Sequence, residues 1–163
     1  MKYPIFLNLK LKRAVVVGGG SVATRKVLTL LGTQARVVVV ADQIDEVLKT
    51  KCKNTNTEFV QAKYSKEYLA GATIVFAATN DRKVNEQIYK DCQQIEALCN
   101  VADEPELCDF FVPAVVKRGD LQIAVGTDGY SPAYAGHIRQ KLESIFTEKH
   151  GEFLAELDLR EPD

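Results

Sequence analysis

AVVVGGGSVATRKVLTLLG, Ala14 through Gly32, is the stretch whose reading decides the fold. Ala14 to Gly18 is a short apolar run rich in β-branched residues and without polar alternation, which predicts a strand buried on both faces. Gly18-Gly19-Gly20-Ser21-Val22-Ala23 follows at once and fits the pattern G-x-G-x-x-A. Val22, Leu28 and Leu31 are among the apolar positions of the helix it opens, and Gly32 is its stop. A glycine loop between a buried strand and a helix is the arrangement a dinucleotide needs. Glycine permits the tight turn and the close approach of a pyrophosphate, and the helix N-terminus offers unpaired N–H groups. The competing reading is a tight turn that binds nothing.

Outward from this stretch, strands and helices alternate. Arg36–Ala41 predicts a second buried strand, and Gln43 to about Lys51 an amphipathic helix. Strands are expected at Thr57–Ala62, Thr73–Thr79 and Leu98–Asp103, with a long helix over DRKVNEQIYKDCQQIEA between the last two. That alternation predicts right-handed crossovers and a parallel sheet. After Pro105 the pattern changes. FFVPAVVKRGDLQIAVG reads as two strands joined at Lys117-Arg118-Gly119-Asp120, with Pro113 marking an edge or a bulge. From Ser131, a cap followed by Pro132 at the first turn, a helix carries the stripe Ala135, Ile138, Leu142, Ile145 and Phe146. A last short helix is expected from Glu152 to Leu159. The expected organisation is a Rossmann-like, doubly wound α/β domain over residues 1–112 and a small β-plus-helix appendage over residues 113–163.

Composition narrows the class. The 163 residues carry 21 Lys+Arg against 22 Asp+Glu, a net charge of −1, and 46% are hydrophobic. A real core is affordable at that length, and global disorder is excluded. Near-neutrality argues against a nucleic-acid binder that works by bulk charge. No apolar run approaches the roughly 20 residues of a membrane helix, and MKYPIFLNLK has no secretory signal pattern. Cys52, Cys92, Cys99 and Cys108 show no metal-ligand spacing, so four reduced thiols in a cytoplasmic protein are expected, with no metal site.

Three strand ends frame the expected crevice. Asp42, 24 residues after Gly18, suits an acceptor for the adenosine ribose hydroxyls, or equally a cap for the next helix. Facing the ribose, its charge would oppose a 2′-phosphate and favour NAD over NADP. Ala77-Ala78-Thr79-Asn80 ends the fourth strand and Asp103 the fifth, where ligands of open α/β sheets bind. Asp103, before Glu104-Pro105, reads equally as a helix cap.

The stretch YPIFLNLKLKRAVVVGGGSVATRK resembles the opening of the precorrin-2 dehydrogenase/sirohydrochlorin ferrochelatase family, the N-terminal module of siroheme synthases. The resemblance continues through FAATNDRKVNEQI and CNVADEPELCDFFVPAVVKRGDLQIAVGTDGYSPAYAGHIRQKLE, over about residues 3 to 146. It implies NAD-dependent oxidation of precorrin-2 to sirohydrochlorin, and in some members iron insertion at the same site. It implies cofactor positions at Ser21, Val22, Asp42 and Gln43, a functional aspartate at Asp103, and a homodimer joined through Phe110 to about Phe146. Where some members carry a serine before the S-P pair, this chain has Thr127 followed by Asp128, whose charge is expected to oppose an acidic substrate. The chain also ends at Asp163, where many members continue into a helical segment, and with few metal-ligand candidates (Asp103 and His137) weak or absent chelatase activity is expected.

A tetrapyrrole with eight carboxylates needs cations, which Lys117, Arg118, Arg139 and Lys141 are placed to supply, Arg in bidentate fashion. Each also reads as solvated surface. His137 reads as structural. The rival from another class is a non-enzymatic NAD-sensing module such as the regulatory domains of potassium-transport proteins, whose A-T-x-D-x-x-N element is partly echoed by Ala78-Thr79-Asn80-Asp81 with Asn85. The hairpin and the S-P and I-R-x-x-L-E segment favour the enzyme.

Overall fold

A computed structural model describes residues 2–158. They form two compact units, Pro4–Phe110 and the residues from Phe111 onward, the latter joined by Lys2 and Tyr3. The grouping of Lys2 and Tyr3 with the second unit was not legible in the sequence. Lys2 provides the reason: its Nζ lies 2.6 Å from Asp128 Oδ1 and 4.2 Å from the centre of the Phe111 ring.

The first unit is a five-stranded parallel sheet. Its strands are β1 (Arg13–Val17), β2 (Arg36–Ala41), β3 (Glu58–Gln61), β4 (Ala72–Ala77) and β5 (Leu98–Val101), in the order β3-β2-β1-β4-β5. Helices α1 (Ser21–Leu31), α2 (Glu46–Cys52) and α3 (Arg82–Gln94) connect β1 to β2, β2 to β3 and β4 to β5. Strand alternation explains the unbroken valine runs. Ala14, Val16, Val37 and Val39 face one core with Ala23, Val27, Leu30, Leu48 and Phe76. Val15, Val17, Val38 and Val40 face the other with Leu69, Val75, Ile88 and Cys92. Both faces are dry, so a strand without polar alternation is what this position demands. On α1 the core side is Ala23, Val27 and Leu30, while Val22, Leu28 and Leu31 are half-buried.

Several boundaries differ from expectation for identifiable reasons. Helix α2 begins at Glu46, three residues later than expected, because Asp45 is its cap and accepts the Val47 N–H at 2.8 Å. Helix α3 begins after Asp81, which caps Lys83 and Val84. Two 3₁₀ turns, Lys66–Leu69 and Pro105–Leu107, have no periodic signature. The open side of β5 is covered by residues 108–110: the Asp109 N–H donates to the Cys99 carbonyl at 2.8 Å, and Asp109 Oδ2 accepts the Cys99 N–H at 2.8 Å.

In the second unit, β6 (Ala114–Arg118) and β7 (Leu121–Val125) form an antiparallel hairpin, and α4 (Pro132–Ile145) and α5 (Glu148–Asp158) follow. Gly119, with φ +57°, occupies the first position of the two-residue loop, where a type II′ turn requires glycine. Pro113, expected to mark an edge or a bulge within the first strand, instead precedes that strand and costs it no ladder bond. Ser131 caps α4 through the Tyr134 N–H at 3.2 Å. Helix α5 starts at Glu148, four residues earlier than expected, and the expected end at Leu159 lies outside the described residues. Gly151 permits the close approach of α5, since a Cβ there would stand 2.5 Å from the Arg118 carbonyl.

Candidate nucleotide site

The parallel strands end together at one edge of the first unit. The Gly18 N–H donates to the Val40 carbonyl, and the Ala78 N–H to the Val17 carbonyl, both at 2.8 Å. These bonds bring the glycine loop, the β2 exit and the β4 exit side by side. Gly18 and Gly19 are packing requirements. A Cβ on Gly18 would lie 2.2 Å from the Ala78 carbonyl oxygen, and one on Gly19 would lie 2.0 Å from the Gln43 carbonyl oxygen. In the pattern G-x-G-x-x-A, Gly19 occupies the unspecified position. Its carbonyl also accepts the Asp45 N–H at 2.9 Å, which ties the loop to the α2 cap.

Gly20 differs in kind. A Cβ there meets nothing within 4 Å, and no side chain caps α1. The first-turn N–H groups therefore have no side-chain cap, and the open space beside Gly20 has the positive end of the helix dipole behind it. That space belongs to a cavity of about 1110 Å³ lined by Gly18–Gly20, Asp42, Gln43, Ala78, Thr79 and Tyr64 among others. An anion set against backbone N–H groups, on a floor with no Cβ, is what a pyrophosphate requires. The residues present fit a dinucleotide.

Of the expected cofactor positions, Gly18, Gly20, Asp42, Gln43 and Thr79 line this cavity, while Ser21 and Val22 begin α1 just beyond the lining. The alternative of Asp42 as a helix cap is corrected, because Asp45 holds that place. Asp42 is exposed, and its Oδ1 accepts only the Gln43 N–H at 2.9 Å, which leaves carboxylate lone pairs open to a ligand. Thr79 is already engaged. Its hydroxyl lies 2.7 Å from Asn85 Oδ1, and Asn85 Nδ2 donates to the Thr79 carbonyl at 3.1 Å. Buried Asn85 thus holds the β4 exit loop in shape. Tyr64 donates to Asp91 Oδ2 at 2.7 Å, and burial, with that bond, pushes its hydroxyl well above the ordinary tyrosine value.

Asp103 stands apart from the cavity lining, one residue beyond Ala102, whose N–H donates to the Ala77 carbonyl at 2.9 Å. It is not a helix cap: Glu104 precedes the 3₁₀ turn, and no side chain caps it. Its φ of +63° is the left-handed region, costing of order 1 kcal/mol for a residue other than glycine. The exposed carboxylate has no hydrogen-bond partner among the described residues. Strained backbone carrying a free carboxylate is a frequent property of reacting sites.

The expected substrate cations lie in the second unit. Arg118 is 17% exposed in its side chain, and its Nε lies 3.2 Å from Glu148 Oε1. Nη1 donates to the Lys117 carbonyl and Nη2 to the Glu143 carbonyl, at 2.9 and 3.3 Å. Its two Nη groups bond carbonyls of β6 and α4, while Nε, buried, approaches Glu148 on α5 without forming a hydrogen bond. Arg139 pairs with Glu143 one turn along α4. Thr127 Oγ1 accepts the Ser131 N–H at 3.1 Å, so its hydroxyl proton stays free to donate. The Asp128 charge expected to oppose an acidic substrate is neutralised by Lys2, which holds its carboxyl below the usual range. Among the described residues, no three His, Cys, Asp or Glu side chains gather as a metal site would.

A family model described as "Putative NAD(P)-binding" matches residues 5–114, two thirds of the chain. The chain belongs to this NAD(P)-binding family. A second model, "Sirohaem biosynthesis protein central", matches residues 118–145, the hairpin and α4. The siroheme synthase of Nitrosococcus oceani is 38% identical over 152 residues, which are 93% of this chain and 32% of that protein. That of Psychrobacter arcticus is 33% identical over 149 residues, 91% of this chain and 27% of that protein. The chain thus spans about a third of the length of the curated relatives it matches. A solved structure, "SirC, precorrin-2 dehydrogenase", matches with a TM-score of 0.79 and 28% identity, covering 94% of this chain and 76% of that one. The relatives are those the sequence motifs resemble, and the NAD(P)-binding family match takes in the glycine loop.

Proposed function

We propose that the protein oxidises precorrin-2 to sirohydrochlorin with NAD. The carrying observation is the extent of the likeness to a precorrin-2 dehydrogenase, 94% of this chain, so that it takes in both units rather than the glycine loop alone. An NAD-sensing module has no need of the hairpin and α4, and the second family model over residues 118–145 speaks against that reading.

When bound, NAD supplies the acceptor for the hydride that leaves the macrocycle. The backbone N–H groups after Gly20 hold its pyrophosphate, and Asp42 accepts from its adenosine ribose, opposing a 2′-phosphate. Asp103, its carboxylate unpartnered, takes the proton that leaves with the hydride or orients a pyrrole N–H. Thr127 and Arg139 offer the substrate a hydroxyl and a guanidinium. The protein acts as a homodimer through the second unit, a reading supported by Tyr134, Ile145 and Val115, apolar residues left exposed there. Cys52, Cys92 and Cys99, buried as thiols, support a reducing, cytoplasmic setting. Metal insertion into the product is weak or absent, since Asp103 and exposed His137 are the few ligand candidates. Incubation with precorrin-2 and NAD tests the reading: the sirohydrochlorin spectrum grows in with NADH, and a chain that binds NAD yet leaves precorrin-2 unchanged would overturn it.

A further inference from the structure

Lys26 has no place in the nucleotide cavity, and among the described residues no carboxylate lies within ion-pair distance of it. It projects from α1, half-buried, with Nζ 5.1 Å from the centre of the Phe76 ring. Phe76 is met edge-on by Phe110, centroids 5.4 Å apart at 82°. Phe110 is fixed in turn by Asn100, whose Nδ2 donates to its carbonyl at 2.9 Å. Asn100 is the register partner of Phe76 on β5, and Asp103 follows it by three residues. Burial, foremost, and the neighbouring Arg25 hold the Lys26 amine below its ordinary value, while Cys108 and Asp103 act on it in the opposite sense. Asp103 and Lys26 therefore feel one another without pairing. A half-desolvated ammonium without a counter-ion is destabilising, and the Phe76 ring offsets only part of that cost.

We propose that Lys26 is a substrate-binding residue: its half-buried ammonium, seated on Phe76 beside the strand end that carries Asp103, receives a carboxylate of the tetrapyrrole. The inference rests on the function proposed above. It assigns the anionic substrate a cation in the first unit, on the same strand-end face as the residue that takes the proton. The carboxylate completes the ion pair that the free protein lacks, and a charge-assisted bond in so desolvated a place is among the stronger ones available. Arginine could keep the contact; an apolar residue could not.

The test is steady-state kinetics with precorrin-2 on Lys26→Met, Lys26→Gln and Lys26→Arg, with NAD affinity and thermal midpoint measured on the same samples. The two uncharged variants should raise KM for precorrin-2 about tenfold or more, the scale of one lost charged hydrogen bond, with kcat within about threefold. NAD affinity should not move, the midpoint should not fall, and Lys26→Arg should keep KM near wild type. Unchanged KM in the uncharged variants, or NAD affinity that falls in step with KM, would overturn the inference alone. So would a lowered midpoint that Lys26→Arg fails to restore, which marks a structural role. A wild-type protein that does not turn over precorrin-2 overturns the functional reading, and this inference with it.

Discussion

Asp103 combines a left-handed backbone with a carboxylate that has no hydrogen-bond partner among the described residues, and the two properties predict opposite effects of substitution. Asp103→Ala should lower precorrin-2 turnover by roughly 10²-fold, the usual scale for losing an acid–base group, while NAD titration gives an unchanged affinity. Asp103→Gly should lose the same activity but unfold at an equal or higher temperature, because glycine accepts φ +63° without strain. Retained turnover in either variant would reduce Asp103 to a bend in the chain. Asp42 makes a prediction about cofactor choice: NAD should bind at least ~10-fold more tightly than NADP, about 1.4 kcal/mol, by calorimetric titration. Lys26 gives the pH dependence. Its folded value lies below that of the unfolded chain, which therefore holds more protons across the window between the two. Stability from this site rises with pH through that window, and Lys26→Met should remove the rise in a series of thermal midpoints.

At the scale of elements, the glycine loop separates packing from binding. Gly19→Ala drives a Cβ to 2.0 Å from a backbone oxygen and should destabilise the first unit by a few kcal/mol, measured by denaturant unfolding. Gly20→Ala meets nothing, so the fold should be kept within about 0.5 kcal/mol while NAD affinity falls ~10-fold or more as the methyl occupies phosphate space. This distinction was invisible in the sequence, where three consecutive glycines look alike. What was legible followed from local pattern. Arg36–Ala41 could be read to the residue because a strand buried on both faces has no polar interruption. The α2 start could not, because Asp42 and Asp45 are equally good caps locally, and the tertiary bond from the Asp45 N–H to the Gly19 carbonyl distinguishes them. The contacts of Arg118 were illegible for the same reason: the Glu143 carbonyl and Glu148 lie on α4 and α5, far along the chain. Arg118→Ala should accordingly destabilise the second unit by about 1–3 kcal/mol through lost packing and an uncompensated Glu148.

At the scale of the molecule, this chain is a third of its siroheme synthase relatives and three quarters of the precorrin-2 dehydrogenase it resembles in structure. That likeness takes in both units. Iron chemistry is separable from the redox step at this scale. Sirohydrochlorin supplied with Fe²⁺ or Co²⁺ in the absence of NAD should take up metal no faster than in a protein-free control, and insertion abolished by Asp103→Ala would show a bifunctional protein instead. The central claim meets its most direct test in a single assay, precorrin-2 with NAD under exclusion of air, wild type and Asp103→Ala side by side, following NADH and sirohydrochlorin together. The account predicts stoichiometric NADH and sirohydrochlorin from the wild type and almost none from the variant. NADH-free wild-type samples, or equal conversion by both proteins, would contradict it.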